Sequence, residues 1–139
     1  MKVHPAIGLE PMRVLVIDDD DIARELVAST LERLGYKVFG LPTAIGATRL
    51  IFQRAIEAVV IDVMLPDMDG DKLARLLREN SRGSKLAIVL ISSRPVEELQ
   101  RLAATARADA VVPKSDIRTR LGLVLKAAHQ SRVGASTER

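Results

Sequence analysis

The 139-residue sequence has no cysteine and no tryptophan, with one tyrosine and two phenylalanines. Without cysteine there is neither a disulfide framework nor a thiolate ligand for a metal. The longest apolar runs fall short of the ~20 residues a membrane-spanning helix needs, and the amino terminus lacks the apolar core of a secretory signal. Both absences lead us to expect a soluble, cytoplasmic protein. No aromatic follows Phe52 and no basic run is present, so a stacking platform for bases in the last third is not expected. The net charge of +3 and pI near 9.6 would by themselves suggest nucleic acid. Residues 1–93, however, carry 12 Lys and Arg against 13 Asp and Glu, while 94–139 carry 9 against 5. The excess lies wholly in the last third and reads as a mildly basic protein-binding face.

What is present is 47% hydrophobic sequence, enough for one domain with a core that needs no staples. Short aliphatic runs alternate with amphipathic segments. The candidate strands are Arg13–Ile17, Lys37–Leu41, Ala58–Ile61, Leu86–Ile91 and Ala110–Val112. Runs such as AVVI and LAIVLI are apolar throughout and β-branched, as in parallel strands covered on both faces. Ile22, Leu26, Leu31 and Leu34 mark the first helix, Leu73, Leu76 and Leu77 the third, and Leu121, Val124, Leu125 and Ala128 the fifth. Gly35 suits the C′ position ending the first helix, and Thr43 the N-cap of the second.

Five strands alternating with five helices predict a doubly wound α/β fold, a three-layer sandwich about a five-stranded parallel sheet. Such folds place their sites at the carboxyl ends of the strands. Strand one is followed by Asp18, Asp19, Asp20 and Asp21, strand three by Asp62, strand four by Ser92 and Ser93, and strand five, after Pro113, by Lys114. Carboxylates about 4 Å apart repel by about 4 kcal/mol at an effective dielectric of 20, so the acidic cluster calls for a neutralising group. Each residue also has a plain structural reading. Asp20 and Asp21 suit a helix start, Pro66 and Asp69-Gly70 are turn residues, Ser92 can cap, and Lys114 can be solvated. Those readings do not account for chemically useful types at strand ends one, three, four and five together.

The motifs VLVIDDDD, VVIDVMLPDMDG, IVLISS and VVPK, with 30 residues from Asp62 to Ser92 and 22 from Ser92 to Lys114, resemble the receiver domains of two-component response regulators, the CheY-like family. The resemblance runs from about Arg13 to Ala128. It implies a flavodoxin-like strand order 2-1-3-4-5 and a non-enzymatic signalling role. Asp62 would be the nucleophile accepting a phosphoryl group from a histidine kinase or phosphotransfer protein. Asp18, Asp19, Asp62 and the Met64 main-chain carbonyl would hold Mg²⁺, with Mn²⁺ as a substitute. Lys114 would pair with Asp62 and later with a phosphoryl oxygen. Ser92 would donate to another phosphoryl oxygen and draw its loop inward, shifting the fourth helix, fifth strand and fifth helix to signal to a downstream protein target. Leucines and alanines on the fourth and fifth helices suit either a phosphorylation-dependent homodimer or the core.

Three positions depart from the family pattern. Val111 stands where many receivers carry the aromatic partner of the switch hydroxyl. Ser115 rather than proline follows Lys114, so the bond after Lys114 is expected to be trans. Arg107 in RAD replaces a frequent glycine, so a left-handed turn there must be made otherwise or avoided. Met64 and Arg94, two residues past Asp62 and Ser92, are expected to shield an acyl phosphate from water.

Residues 1–11 read as an amino-terminal extension, 12–129 as the receiver domain and 130–139 as a flexible tail with no room for a DNA-binding module, implying a stand-alone receiver. The rival within the same fold is a pseudo-receiver acting as a protein-interaction module without phosphorylation, whose usual sign is loss of the acidic pair or the lysine. A haloacid-dehalogenase-like phosphatase would need a further acidic residue where Ser92 and Lys114 stand. A direct DNA binder would show steeply salt-dependent binding.

Overall fold

A computed structural model describes residues 10–80 and 85–137 of the chain. Five strands form one parallel sheet in the order β2-β1-β3-β4-β5: β1 Arg13–Ile17, β2 Lys37–Leu41, β3 Ala58–Asp62, β4 Ala87–Ser92 and β5 Ala110–Pro113. The helices between and after them are α1 Asp21–Arg33, α2 Ala47–Gln53, α3 Gly70–Glu79, α4 Val96–Ala106 and α5 Gly122–Thr137. Strand side chains alternate between faces, and both faces are covered. Leu15, Ile17, Val59, Ile61, Ile88 and Leu90 join Leu73 and Leu77 of α3 and Leu99 of α4 in one core. Val14, Val16, Val60, Val89 and Ile91 join Val27 and Leu31 of α1 and Leu121 and Leu125 of the α5 segment in the other. Burying each such side chain is worth ~1.5–3 kcal/mol. That is why β3 and β4, apolar until their last residues, and β1, apolar after Arg13, are legible as strands.

Strand starts and ends match the expectation within one residue. β3, β4 and β5 each run one residue further, taking in Asp62, Ser92 and Pro113. The chemically useful residues of β3 and β4 are therefore part of the sheet rather than of the loops after it.

Gly35 ends α1 as expected. Its φ is +94°, its N–H donates to Glu32 O, and the Tyr36 N–H donates to Leu31 O, which is the Schellman arrangement. The apolar face expected for α1 is corrected by the structure. Ile22 is 81% exposed and Leu34 57% exposed, while Ala23, Val27 and Leu31 are buried. Of the expected face, Leu31 is buried and Leu26 packs against the core, whereas Ala23 and Val27 stand inward in place of Ile22 and Leu34. In α3, Leu73 and Leu77 are buried but Leu76 is half exposed, and Ala74 takes the interior place.

Thr43 does not cap α2. Its hydroxyl accepts from the Ile45 N–H, and the N-cap is Gly46, at φ +87°. The left-handed turn entering β5 is made rather than avoided, because Arg107, the C-cap of α4, adopts it at φ +58° and ψ +35°. The bond after Lys114 is trans, and no cis bond occurs among the described residues.

Met12 packs against the second core and its carbonyl accepts from the Lys37 N–H, so this residue is part of the packed unit. The extension expected before it lies, for residues 1–9, outside the described residues. The segment read as a tail from residue 130 is instead helical. After a 3₁₀ turn at Lys114–Asp116 and a π turn at Ile117–Leu121, α5 continues to Thr137. Arg132 in that stretch is tied to Asp109 by a 2.7 Å ion pair, an anchor that polar composition alone does not reveal.

Candidate functional site

Each candidate residue is delivered to the carboxyl edge of the sheet by the strand beneath it. The Asp18 N–H donates to Leu41 O at 3.1 Å, extending the β1–β2 ladder one step beyond the strand. This turns the Asp18 side chain inward and fully buries it. Its Oδ1 accepts from the Asp20 N–H at 2.9 Å, the local turn that aspartate makes readily. Asp20 is the N-cap of α1, accepting from the Ile22 N–H, and Asp21 pairs with Arg24. The four consecutive aspartates thus divide into two pairs, although of the two expected to cap only Asp20 does so. Two start the helix, and two, Asp18 and Asp19, face the centre.

Asp62, 5% exposed, ends β3, and its Oδ1 accepts from the Met64 N–H at 3.3 Å. The helix α3 begins against it. The Gly70 N–H donates to Val63 O at 2.7 Å, and a Cβ on Gly70 would fall inside contact distance of the Asp62 carbonyl oxygen. Gly70 is therefore a packing requirement of the site and not only a turn residue, a role its sequence context leaves hidden. Ser92, 1% exposed, ends β4, with Ile91 beside Asp62 in the register. Its Oγ accepts from the Arg94 N–H at 3.1 Å.

Lys114, after β5, brings its Nζ to 2.9 Å from Asp18 Oδ2 and 3.4 Å from Asp62 Oδ2. Carboxylate oxygens of Asp18, Asp19 and Asp62 lie within 4.8 Å of one another. Three carboxylates against one ammonium leave two negative charges uncompensated. Burial, reinforced by the Asp18 charge, pushes the Asp62 carboxyl above the ordinary aspartate value, with Lys114 and the Met64 N–H pulling the other way. Burial pulls Lys114 down, but contact with Asp18 and the charges of Asp62 and Asp18 outweigh it and leave the ammonium above its ordinary value.

Asp18 Oδ2 faces Lys114 off the hydrogen-bonding direction and accepts no directed hydrogen bond, although it is buried. An inward-facing oxygen of this kind, in an all-oxygen donor set carrying an excess of two negative charges, fits a hard divalent cation.

The remaining expected residues lie around this centre. Val111 is half-buried against the core on the α2–α4 side of the sheet. The Met64 side chain is 53% exposed, and the Arg94 guanidinium is engaged by Glu98 at 2.8 Å. A cavity of about 390 Å³, lined by Phe52, Leu77, Leu86 and Val133 among others, lies elsewhere, and none of the candidate residues borders it. The site is recognised by its chemical groups and not by concavity.

One residue missed by sequence reasoning is Arg24. Its Nη1 donates to the Asp18 main-chain oxygen at 2.7 Å. The only trace of this in the sequence is the (i, i+3) pairing of Asp21 with Arg24.

Comparison with known proteins agrees with this geometry. The sequence model of the response regulator receiver domain matches residues 14–125. Response regulator MprA of Mycobacterium sp. (strain KMS) is 36% identical over 104 residues, covering 75% of this chain and 44% of the relative. The chain thus spans less than half the length of the curated relatives it matches. Among solved structures, a sensor protein from Polaromonas sp. JS666 superposes with a TM-score of 0.79 at 30% identity, over 87% of this chain and 98% of that one. The signal receiver domain of an HD domain-containing protein from Pseudomonas fluorescens Pf-5 does so with a TM-score of 0.83 at 19% identity, over 99% and 100%. At that identity the second likeness concerns the fold alone.

Proposed function

Because this chain belongs to the response regulator receiver domain family, we propose that Asp62 is its phosphoacceptor. In this reading an Asp62 carboxylate oxygen attacks the phosphorus of a phosphohistidine on a histidine kinase or phosphotransfer protein. The O–P bond forms as the N–P bond breaks, and the imidazole leaves. The single supporting observation is that the Lys114 ammonium bridges the buried carboxylates of Asp18 and Asp62, at 2.9 Å and 3.4 Å, so that Asp62 sits beside both an acid and a cation. A carboxylate that only held structure would not need an acidic neighbour.

Asp18, Asp19 and Asp62, with the Met64 main-chain carbonyl, would hold Mg²⁺, which when bound supplies charge stabilisation at the phosphoryl oxygens. Lys114 holds one carboxylate oxygen at rest and pairs with a phosphoryl oxygen afterwards. Ser92, whose hydroxyl is occupied with its own loop at the Arg94 N–H, reorients to donate to another. The added charge of about two units then biases the α4, β5 and α5 face toward a downstream protein. With Val111 at the switch position, packing of an aliphatic side chain takes the place of an aromatic rotation.

The test is intact mass after incubation with acetyl phosphate, with and without Mg²⁺. A Mg²⁺-dependent phosphoryl adduct on the wild type, absent from Asp62→Ala, is the expected result. No adduct under any condition would replace this reading with that of a phosphorylation-independent interaction module.

A further inference from the structure

Three of the four polar atoms of Asp18 are held by hydrogen bonds, and the fourth, Oδ2, meets only the Lys114 ammonium. Its N–H donates to Leu41 O, its Oδ1 accepts from the Asp20 N–H, its Oδ2 faces Lys114, and its carbonyl oxygen accepts from Arg24 Nη1 at 2.7 Å. Of these contacts, the one from Arg24 is made by a charged donor from a helix, and hydrogen bonds of that class are the stronger ones. Arg24 is itself constrained. Its Nη2 is held by Asp21, and its aliphatic stem crosses β2 at Gly40, where an added Cβ would lie 3.3 Å from Arg24 Cδ. The stem thus runs over the one strand position with no side chain to meet it.

We propose that Arg24 is a positioning residue for the acidic centre, fixing the Asp18 main chain so that its carboxylate is aimed for cation binding. This inference rests on the cation-binding reading of the site given above. It predicts an effect opposite in sign to that of the Arg24 charge. A guanidinium beside an acidic cluster opposes a second cation electrostatically, so if charge were its whole influence, removing it would tighten divalent binding. If it positions Asp18, removing it loosens the ligand and weakens binding. Groups that orient metal ligands typically contribute ~10–100-fold in metal affinity.

The experiment is calorimetric titration of the full chain with MgCl₂ for the wild type, Arg24→Ala, Arg24→Lys and Gly40→Val, with circular dichroism confirming that each is folded. Arg24→Ala is expected to bind Mg²⁺ about tenfold more weakly, and Arg24→Lys, which keeps a donor of similar reach, to recover part of the loss. Gly40→Val leaves every charge in place and displaces only the arginine stem. It is expected to weaken binding as well, and it carries the test should Arg24→Ala fail to fold. Equal or tighter binding in Arg24→Ala, or in Gly40→Val if that variant stands alone, would overturn the proposal. A wild type that binds no Mg²⁺ would overturn the cation-binding reading itself, which is a separate outcome from a wild type that binds while Arg24→Ala binds equally well.

Discussion

At the amino edge of the sheet one carboxylate is served by two guanidinium groups, whereas at the carboxyl edge three carboxylates share one ammonium. Asp109, just before β5, accepts from Arg78 at 3.0 Å, from the Ile88 N–H at 2.8 Å and from Arg132 at 2.7 Å. Arg78, buried on α3, also donates to the carbonyls of Leu86 and Arg107. Burial presses its guanidinium down from its ordinary value while Asp109 holds it up. The carboxyl edge keeps Asp18 Oδ2 without a directed hydrogen bond and holds Asp62 with its carboxyl raised. The lesson lies in the direction of the imbalance. Buried charge that serves structure is saturated with partners, and buried charge meant for a ligand is left short of them.

The sharpest way to break the comparison is Asp109→Ala. It leaves Arg78 buried without its carboxylate and is expected to cost about 3–5 kcal/mol, read by urea denaturation. Lys114→Ala at the other edge removes the cation that contacts the Asp18 and Asp62 carboxylates and is expected to cost about 2 kcal/mol in metal-free protein, less because Lys114 is partly exposed. Added Mg²⁺ should return part of that loss, and a deficit that Mg²⁺ leaves untouched would contradict the account.

Removing a carboxylate should have the opposite sign at the two edges. Asp62→Asn is expected to stabilise the metal-free protein by about 1 kcal/mol at neutral pH. A carboxyl whose folded value lies above its ordinary 3.8 costs stability only once ionised. The advantage of the variant should therefore be absent below about 3.8, grow as pH rises through the interval up to the folded value, and stay constant above it. Thermal melts across that range check it. The smallest effect is expected from Arg107→Gly. Glycine takes the left-handed conformation of this cap without steric penalty, so a gain of about 0.5–1 kcal/mol should appear with the Arg78 bond to the residue-107 carbonyl intact.

The carboxyl edge was legible in the sequence because a parallel strand writes its end as the place where an aliphatic run meets a polar residue. Asp18, Asp62, Ser92 and Lys114 each stand at such a place. The amino edge was not, since Arg78 lies in a helix whose charged residues read as a solvated face, and its carboxylate partner is 31 residues away. The facing of α1 was misread for a related reason. Periodicity gives weight to large residues such as Ile22 and Leu34, but the inward positions go to Ala23 and Val27 beside Leu31. Thr43 has the right chemistry for a cap and spends it on a local turn that no pattern distinguishes from one. The run from residue 130 is small and polar, and its composition does not reveal the tertiary contact between Arg132 and Asp109 that holds its helix.

That same contact means that one stretch of chain spans both edges of the sheet. Lys114 joins it to the acidic centre through the ammonium, and 18 residues later Arg132 joins it to Asp109. Between the two attachments Leu121 and Leu125 are buried in the core while Leu123 faces outward, so the charged ends of this segment report on opposite edges of one sheet.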